Sequence, residues 1–263
     1  MEVISNGTRI IYDDVGRGEP VLLLMSGWCA PRTYYKDLIA LCSSNRRCLV
    51  VDWPGHGDSQ LPAKDFGEEE LVEAARAVLA KSKVRRVVPV AAAHSGWIAI
   101  ELRRQLGEMV PELVLLDWLV LKPPQEFMGA LKGLQTREHW QEVRDALFKG
   151  WLSENPNAKI AEYVQKEMRT FGYEMWSRAG REIEKSYDRY QSPLKALEEL
   201  ERPPRVHHIF SIPKDEAFLR DQEKFAEEHS WFRVQRLDGH SHFPALEDPQ
   251  TVADIIERSL KAP

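Results

Sequence analysis

Three cysteines among 263 residues, Cys29, Cys42 and Cys48, make an odd number without metal-ligand spacing. They argue against a disulfide framework and read as buried thiols in a reducing compartment. The chain also lacks any apolar run of about 18 residues, so no membrane-spanning helix is expected. Its first residues, MEVISNGTRIIYDD, show no basic segment leading into an apolar stretch, and a cytoplasmic location is the expectation. Basic blocks are missing too: 36 Lys and Arg against 41 Asp and Glu leave a formal charge of −5 spread along the chain. Nothing there would neutralise a phosphate backbone, which argues against nucleic acid as a partner. Low-complexity linkers and internal repeats are likewise absent. With 43% hydrophobic residues the chain can bury one large core, so the expectation is a single body carrying an insertion, monomeric or weakly homo-oligomeric.

What is present is an alternation. Aliphatic and β-branched runs at 21–25, 47–53, 85–91, 112–118, 205–211 and 232–238 are separated by helical patterns such as DFGEEELVEAARAVLAKS and GWIAIELRRQLGE. Strands that are apolar without a period of two are covered on both faces, so the pattern predicts a mostly parallel, doubly wound α/β sheet. Residues 122–192 differ, with four helical stretches and no convincing strand. They read as a helical lid inserted into a core formed by 1–121 and 193–263.

In such sheets ligands bind beyond the carboxyl ends of the strands. The segment VVPVAAAHSGWIAIEL passes from a strand straight into a helix through small residues, the pattern of a nucleophile elbow. Laid on that pattern, Ala91 and Ser95 are the flanking small residues, Ala93 holds the nucleophile position, and Ala93, His94 and Ser95 are expected to border the bound substrate. The competing register makes Ser95 the nucleophile but places Trp97 where a small residue is wanted. A third reading is an ordinary strand-to-helix turn. If Ala93 is at the apex, no acyl ester can form there, yet the backbone amides of His94 and of Trp28, in LLLMSGWC, can still aim two donors at one oxyanion.

Near the end of the chain, LDGHSHFPALEDPQTVADIIERSL offers His240 and His242, and His242 holds the position usual for the base of this fold. No third ligand supports a metal at the H-x-H pair. Two aspartates could orient the imidazole. Asp117 ends an apolar strand, where a carboxylate is costly unless paired, whereas Asp215 falls in a charged loop. Asp117 is preferred, its alternative role being a cap of the strand-to-lid junction. Of eight tryptophans, Trp53, Trp140, Trp151 and Trp231 are assigned to core packing, while Trp28, Trp97 and Trp118 flank the candidate site in sequence.

The segments SGWC (26–29), DWPGHGDS (52–59), HSGW (94–97), LLDWLV (115–120), FGYEMWSRAGREIE (171–184), SPLKAL (192–197), HIFSIP (208–213), HSWF (229–232) and HFPALEDP (242–249) together resemble the cofactor-independent 3-hydroxy-4-quinolone 2,4-dioxygenases of the α/β-hydrolase fold. The resemblance covers almost the whole chain. It implies a His242/Asp117 general-base dyad, a keto oxygen held by the amides of Trp28 and His94, and Trp176 over the substrate ring. It further implies a small aromatic substrate cleaved with dioxygen and release of carbon monoxide, without cofactor or metal. Two positions depart from the family pattern: Ala93 stands where members carry serine, and Ala30 where they carry histidine. A hydrolase using Ser95 or an activated water, and a non-catalytic binder of aromatic metabolites, are the competing readings.

Overall fold

The computed structural model describes residues 1–152 and 157–261; positions 153–156, within the expected lid, and 262–263, at the end of the expected core, lie outside them. One eight-stranded sheet organises the chain. Its strands are β1 (Glu2–Ser5), β2 (Thr8–Val15), β3 (Val21–Met25), β4 (Cys48–Val51), β5 (Val87–Ala92), β6 (Glu112–Leu116), β7 (Arg205–Phe210) and β8 (Phe232–Arg236). They lie in the order β1-β2-β4-β3-β5-β6-β7-β8. The pairs β1/β2 and β2/β4 are antiparallel and all later pairs parallel. Every residue of β3, β4, β5 and β6 is buried, as continuous apolar runs require when helices cover both faces. Pro89 lies inside β5, and the ladder with β6 begins only at the next residue, Val90, so a missing N–H is tolerated.

The first two strands were not anticipated from the apolar runs. They form a hairpin through Asn6 (φ +47°) and Gly7 (φ +78°), both left-handed, the conformation that an Asn-Gly pair adopts most cheaply. On β2, Thr8, Ile10 and Tyr12 are buried while Arg9 is exposed, the alternation of a strand with one wet face.

The helices are α1 (Lys36–Cys42), α2 (Glu68–Lys81), α3 (Ser95–Leu106), α4 (Gln125–Leu134), α5 (Trp140–Trp151), α6 (Ala158–Lys166), α7 (Tyr173–Tyr190), α8 (Pro193–Glu198), α9 (Glu216–Glu228), α10 (Pro244–Glu247) and α11 (Pro249–Lys261). Local chemistry sets their ends. The Glu70 carboxylate accepts from the Gly67 amide at 2.7 Å to close the first turn of α2, and Ser192 caps α8 through the Lys195 amide. Helix α2 shows Leu71, Val72, Ala75, Val78 and Leu79 to the core and Glu73 and Arg76 to water or the surface, the spacing of an amphipathic helix. Helices α4 to α7 all fall between β6 and β7, and α4, α5 and α7 supply one wall of the cavity described next.

Candidate active site

The bend after β5 is tight. Ala93 has φ +49°, a left-handed conformation that is strained for a residue with a Cβ, and its amide is held by the Leu116 carbonyl at 2.8 Å. Its methyl lies at the apex and lines the cavity. Ser95 departs from the expectation that it would face substrate: in the first turn of α3 it is 3% exposed, and its hydroxyl sits 2.7 Å from the Met25 carbonyl and 2.8 Å from that of Ala92. That hydroxyl is directed into the sheet and away from the cavity, because the bend has already turned the chain inward by residue 95. The register with Ser95 as nucleophile therefore has no geometric support.

His242 and Asp117 meet across 125 residues of sequence, Nδ1 to Oδ1 at 2.8 Å. Asp117 is 2% exposed and follows β6 with φ +47°. Its second oxygen accepts from the amides of Ser211 at 2.7 Å and Ile212 at 3.3 Å. Backbone donors thus fix the carboxylate, which in turn leaves Nε2 of the imidazole as the free nitrogen. Asp215 does a different job: exposed, it caps α9 by accepting from the Ala217 amide at 2.8 Å. His240 is exposed too, with Nδ1 2.6 Å from Lys214 Nζ. Between the histidines the loop is braced by Glu247, which accepts from the amides of His240 and Ser241 and from the Ser241 hydroxyl.

A cavity lies above the elbow. Gly27, Trp28, Ala30, Tyr34, Ala93, His94, His242 and Phe243 line it from the sheet side; Phe127, Leu131, Leu147, Trp151, Trp176 and Ile183 line it from α4, α5 and α7. Such a slot suits a flat, largely apolar molecule with a few polar anchors. Among the described residues, no group takes up the backbone N–H of either Trp28 or His94. The loop carrying Trp28 is set by His56 of the GHG turn. His56 Nε2 accepts from the Cys29 amide at 2.9 Å, and its Nδ1 faces the Pro54 carbonyl at 3.0 Å. Full burial keeps that imidazole neutral, its pKa pushed down to about 4. Cys29 is consequently held with φ +56°.

The His94 side chain is fixed as well. Trp118 Nε1 donates to its Nδ1 at 3.1 Å, Phe127 stacks on one face at 5.6 Å, and Tyr187 meets it edge-on at 5.9 Å. Desolvation and the nearby His242 push its pKa down to about 3, so the ring is neutral. Trp118 reaches this place because residue 96 is glycine: a Cβ there would lie 2.1 Å from Cζ3 of the indole.

Trp151 corrects the core-packing assignment. Its ring stacks on His242 at 5.1 Å and 24°, its carbonyl accepts from the His242 amide at 3.0 Å, and it lines the cavity. Periodicity alone places that indole on the inward side of α5 without separating core from cavity wall. Trp176 lines the same cavity with its indole N–H buried and unpartnered. Trp97 and Trp118 lie behind the elbow, whereas Trp53 donates to the Ser26 carbonyl at 2.6 Å. The three cysteines are free and buried. Among the described residues, no three His, Cys, Asp or Glu side chains gather as a metal would require, and no helix is long and apolar enough to cross a membrane.

This geometry has relatives. A model of the alpha/beta hydrolase family matches residues 21–255. The chain is 36% identical over 250 residues, covering 94% of it and 93% of the relative, to 2-heptyl-3-hydroxy-4(1H)-quinolone dioxygenase of Mycobacteroides abscessus. It is 34% identical over 259 residues, 98% of both chains, to 1H-3-hydroxy-4-oxoquinoline 2,4-dioxygenase of Pseudomonas putida. Among solved structures, an AqdC variant in complex with its substrate, from work on ring cleavage of the Pseudomonas quinolone signal, superposes with a TM-score of 0.95 at 34% identity over 100% of this chain and 99% of that one. With sequence and fold in agreement over nearly its whole length, the chain belongs to the 3-hydroxy-4-quinolone 2,4-dioxygenase family of the α/β-hydrolase fold.

Proposed function

We propose that this protein cleaves a 3-hydroxy-4-oxo N-heteroaromatic ring of the quinolone type with dioxygen and releases carbon monoxide, using His242 and Asp117 as a general-base dyad and no added cofactor. The observation that carries the reading is a carboxylate-held imidazole facing an aromatic cavity above an elbow whose side chain is a methyl group. A proton can be moved there, but no acyl group can be accepted. Relatives that act on 2-heptyl-3-hydroxy-4-quinolones support a substrate of that class.

His242 Nε2 removes the 3-hydroxyl proton, and Asp117 steadies the imidazolium that results. The amides of Trp28 and His94 hold the 4-oxo oxygen as charge spreads onto it. The electron-rich anion then reduces dioxygen directly. A peroxide forms at C2 and closes onto C4, and C3 leaves with its own oxygen as carbon monoxide. Both atoms of dioxygen finish on C2 and C4, giving an N-acylated 2-aminobenzoate. Trp176 covers the ring from the helical side, next to Trp151, and residues 122–192 act as its lid. Three free buried thiols fit a reducing cytoplasm, and a monomer or weak homo-oligomer suffices because one chain lines the whole cavity.

Incubating the protein with a 2-alkyl-3-hydroxy-4-quinolone is expected to consume dioxygen and release carbon monoxide in equal amounts. His242→Ala is expected to abolish uptake and Asp117→Ala to reduce it. Wild-type rates in the His242 variant would refute the base assignment.

A further inference from the structure

The mechanism above uses the amide of His94 and leaves its imidazole idle, although four observations give that ring one state and one orientation. The Trp118 indole nitrogen, 3.1 Å from Nδ1, can only donate, so Nδ1 must present its lone pair. In a neutral ring the proton then resides on Nε2. Phe127 on the face and Tyr187 at the edge block rotation, and Tyr187, which donates its own proton to the Leu119 carbonyl at 2.8 Å, offers the same indole N–H only a second acceptor. Finally, Nδ1 is turned toward Trp118, which is 2% exposed and outside the cavity lining, so the opposite edge of the ring, carrying Nε2, is the one that meets the cavity. Among the described residues none bonds to Nε2.

We propose that Trp118 is a positioning residue that locks His94 in its Nε2–H tautomer, and that this N–H is a side-chain donor to the oxygen pair of the substrate's 3-hydroxy-4-oxo unit. The donor stands beside an elbow whose own side chain can give no hydrogen bond. It strengthens as the 3-oxygen becomes anionic, so its effect falls on the chemical step more than on substrate binding. A protonated His94 would add charge next to His242, and the opposite tautomer would point a lone pair at an anion. The lock excludes both.

Two measurements test this, the second resting on the quinolone reading and the first independent of it. Nitrogen NMR of histidine-labelled protein without substrate, with His94 assigned by its loss in His94→Gln, is expected to show one protonated nitrogen, Nε2, throughout pH 5–8. A protonated Nδ1 in the wild-type protein would overturn the proposal whatever the substrate is. Trp118→Phe, which keeps an aromatic ring but removes the donor, is expected to mix the two tautomers. In turnover, Trp118→Phe is expected to lower kcat about tenfold with little change in KM, the size of one charge-assisted hydrogen bond. Glutamine donates without a tautomer to set, so adding Trp118→Phe to His94→Gln is expected to change kcat less than twofold. Losses that multiply in the double variant would show that Trp118 acts by packing alone, and would overturn the positioning role.

Discussion

Gly96→Ala pits two effects of known size against each other. In the first turn of α3 alanine favours the helix over glycine by at most about 1 kcal/mol. Against it, the new Cβ would stand 2.1, 2.3 and 2.7 Å from three carbons of the Trp118 indole. Ordinary carbon contacts begin near 3.5 Å, so the ring must retreat by roughly 1.4 Å, the difference between 3.5 and 2.1. It has nowhere to go: Trp97 meets it edge-on at 5.0 Å, and His94 holds its nitrogen. Overpacking of a rigid buried group costs about 3 kcal/mol or more, leaving a net loss of about 2 kcal/mol. Gly129→Ala supplies the control, since nothing lies within 4 Å of its added Cβ in the middle of α4. There the helical preference stands alone, and a gain of about 0.5–1 kcal/mol is expected. Urea unfolding midpoints of the two variants, measured beside the parent, should move in opposite directions. A Gly96→Ala protein as stable as its parent would refute the claim that glycine is there to seat the indole.

Further expectations concern other parts of the site. Asp215→Ala should cost about 1 kcal/mol through the lost cap of α9 and leave oxygen uptake intact; a large fall in uptake would restore Asp215 as the acid. Trp151→Ala should reduce kcat/KM about fivefold to tenfold, because the stacked partner of His242 is worth about 1 kcal/mol; unchanged kinetics would show the stack to be incidental. Acid should weaken the fold. His56 and His208 are buried and His94 is half-buried at the cavity wall, and their pKa values are pushed down, chiefly by desolvation, to about 4, 4 and 3, whereas unfolded histidine titrates near 6.5. Their contribution is complete above the unfolded value and is lost as pH falls toward the folded ones, up to roughly 2 kcal/mol each at pH 5. Glu68 works the other way: burial raises it to about 8, so its contribution is present at low pH and lost as pH rises through that value. Three groups outweigh one, and the unfolding midpoint should drop between pH 7 and pH 5; equal midpoints would contradict neutral burial of these rings.

Much of this was legible from residue order because the parallel strands advertise themselves. A run such as VLLLM has no polar face, and only a sheet covered on both sides accepts it. Asp117 stood out because a carboxylate after ELVLL needs a partner, and the structure gives it three. The hairpin of β1 and β2 went unnoticed because its strands carry charges on an exposed face, although the Asn-Gly pair was a usable signal. Trp151 was misassigned because helical periodicity separates wet from dry faces and cannot tell dry packing from a cavity wall. Ser95 was placed beside the substrate on linear proximity, whereas the left-handed backbone at Ala93 reverses the direction of the next side chains. The contact of His56 with the Cys29 amide spans 27 positions and two turns, a pairing no local pattern encodes.

The hydrogen bond from the His242 peptide to the Trp151 carbonyl ties the proposed base to the helical wall of the cavity. The base is assembled across a seam, with its carboxylate on the sheet side and its stacking partner and main-chain acceptor on α5. Swinging α5 outward to admit a flat ring would strip the imidazole of two of its supports together. Under the proposed mechanism, proton abstraction is thereby coupled to enclosure, and the oxygen-reactive anion would form only with bulk water shut out.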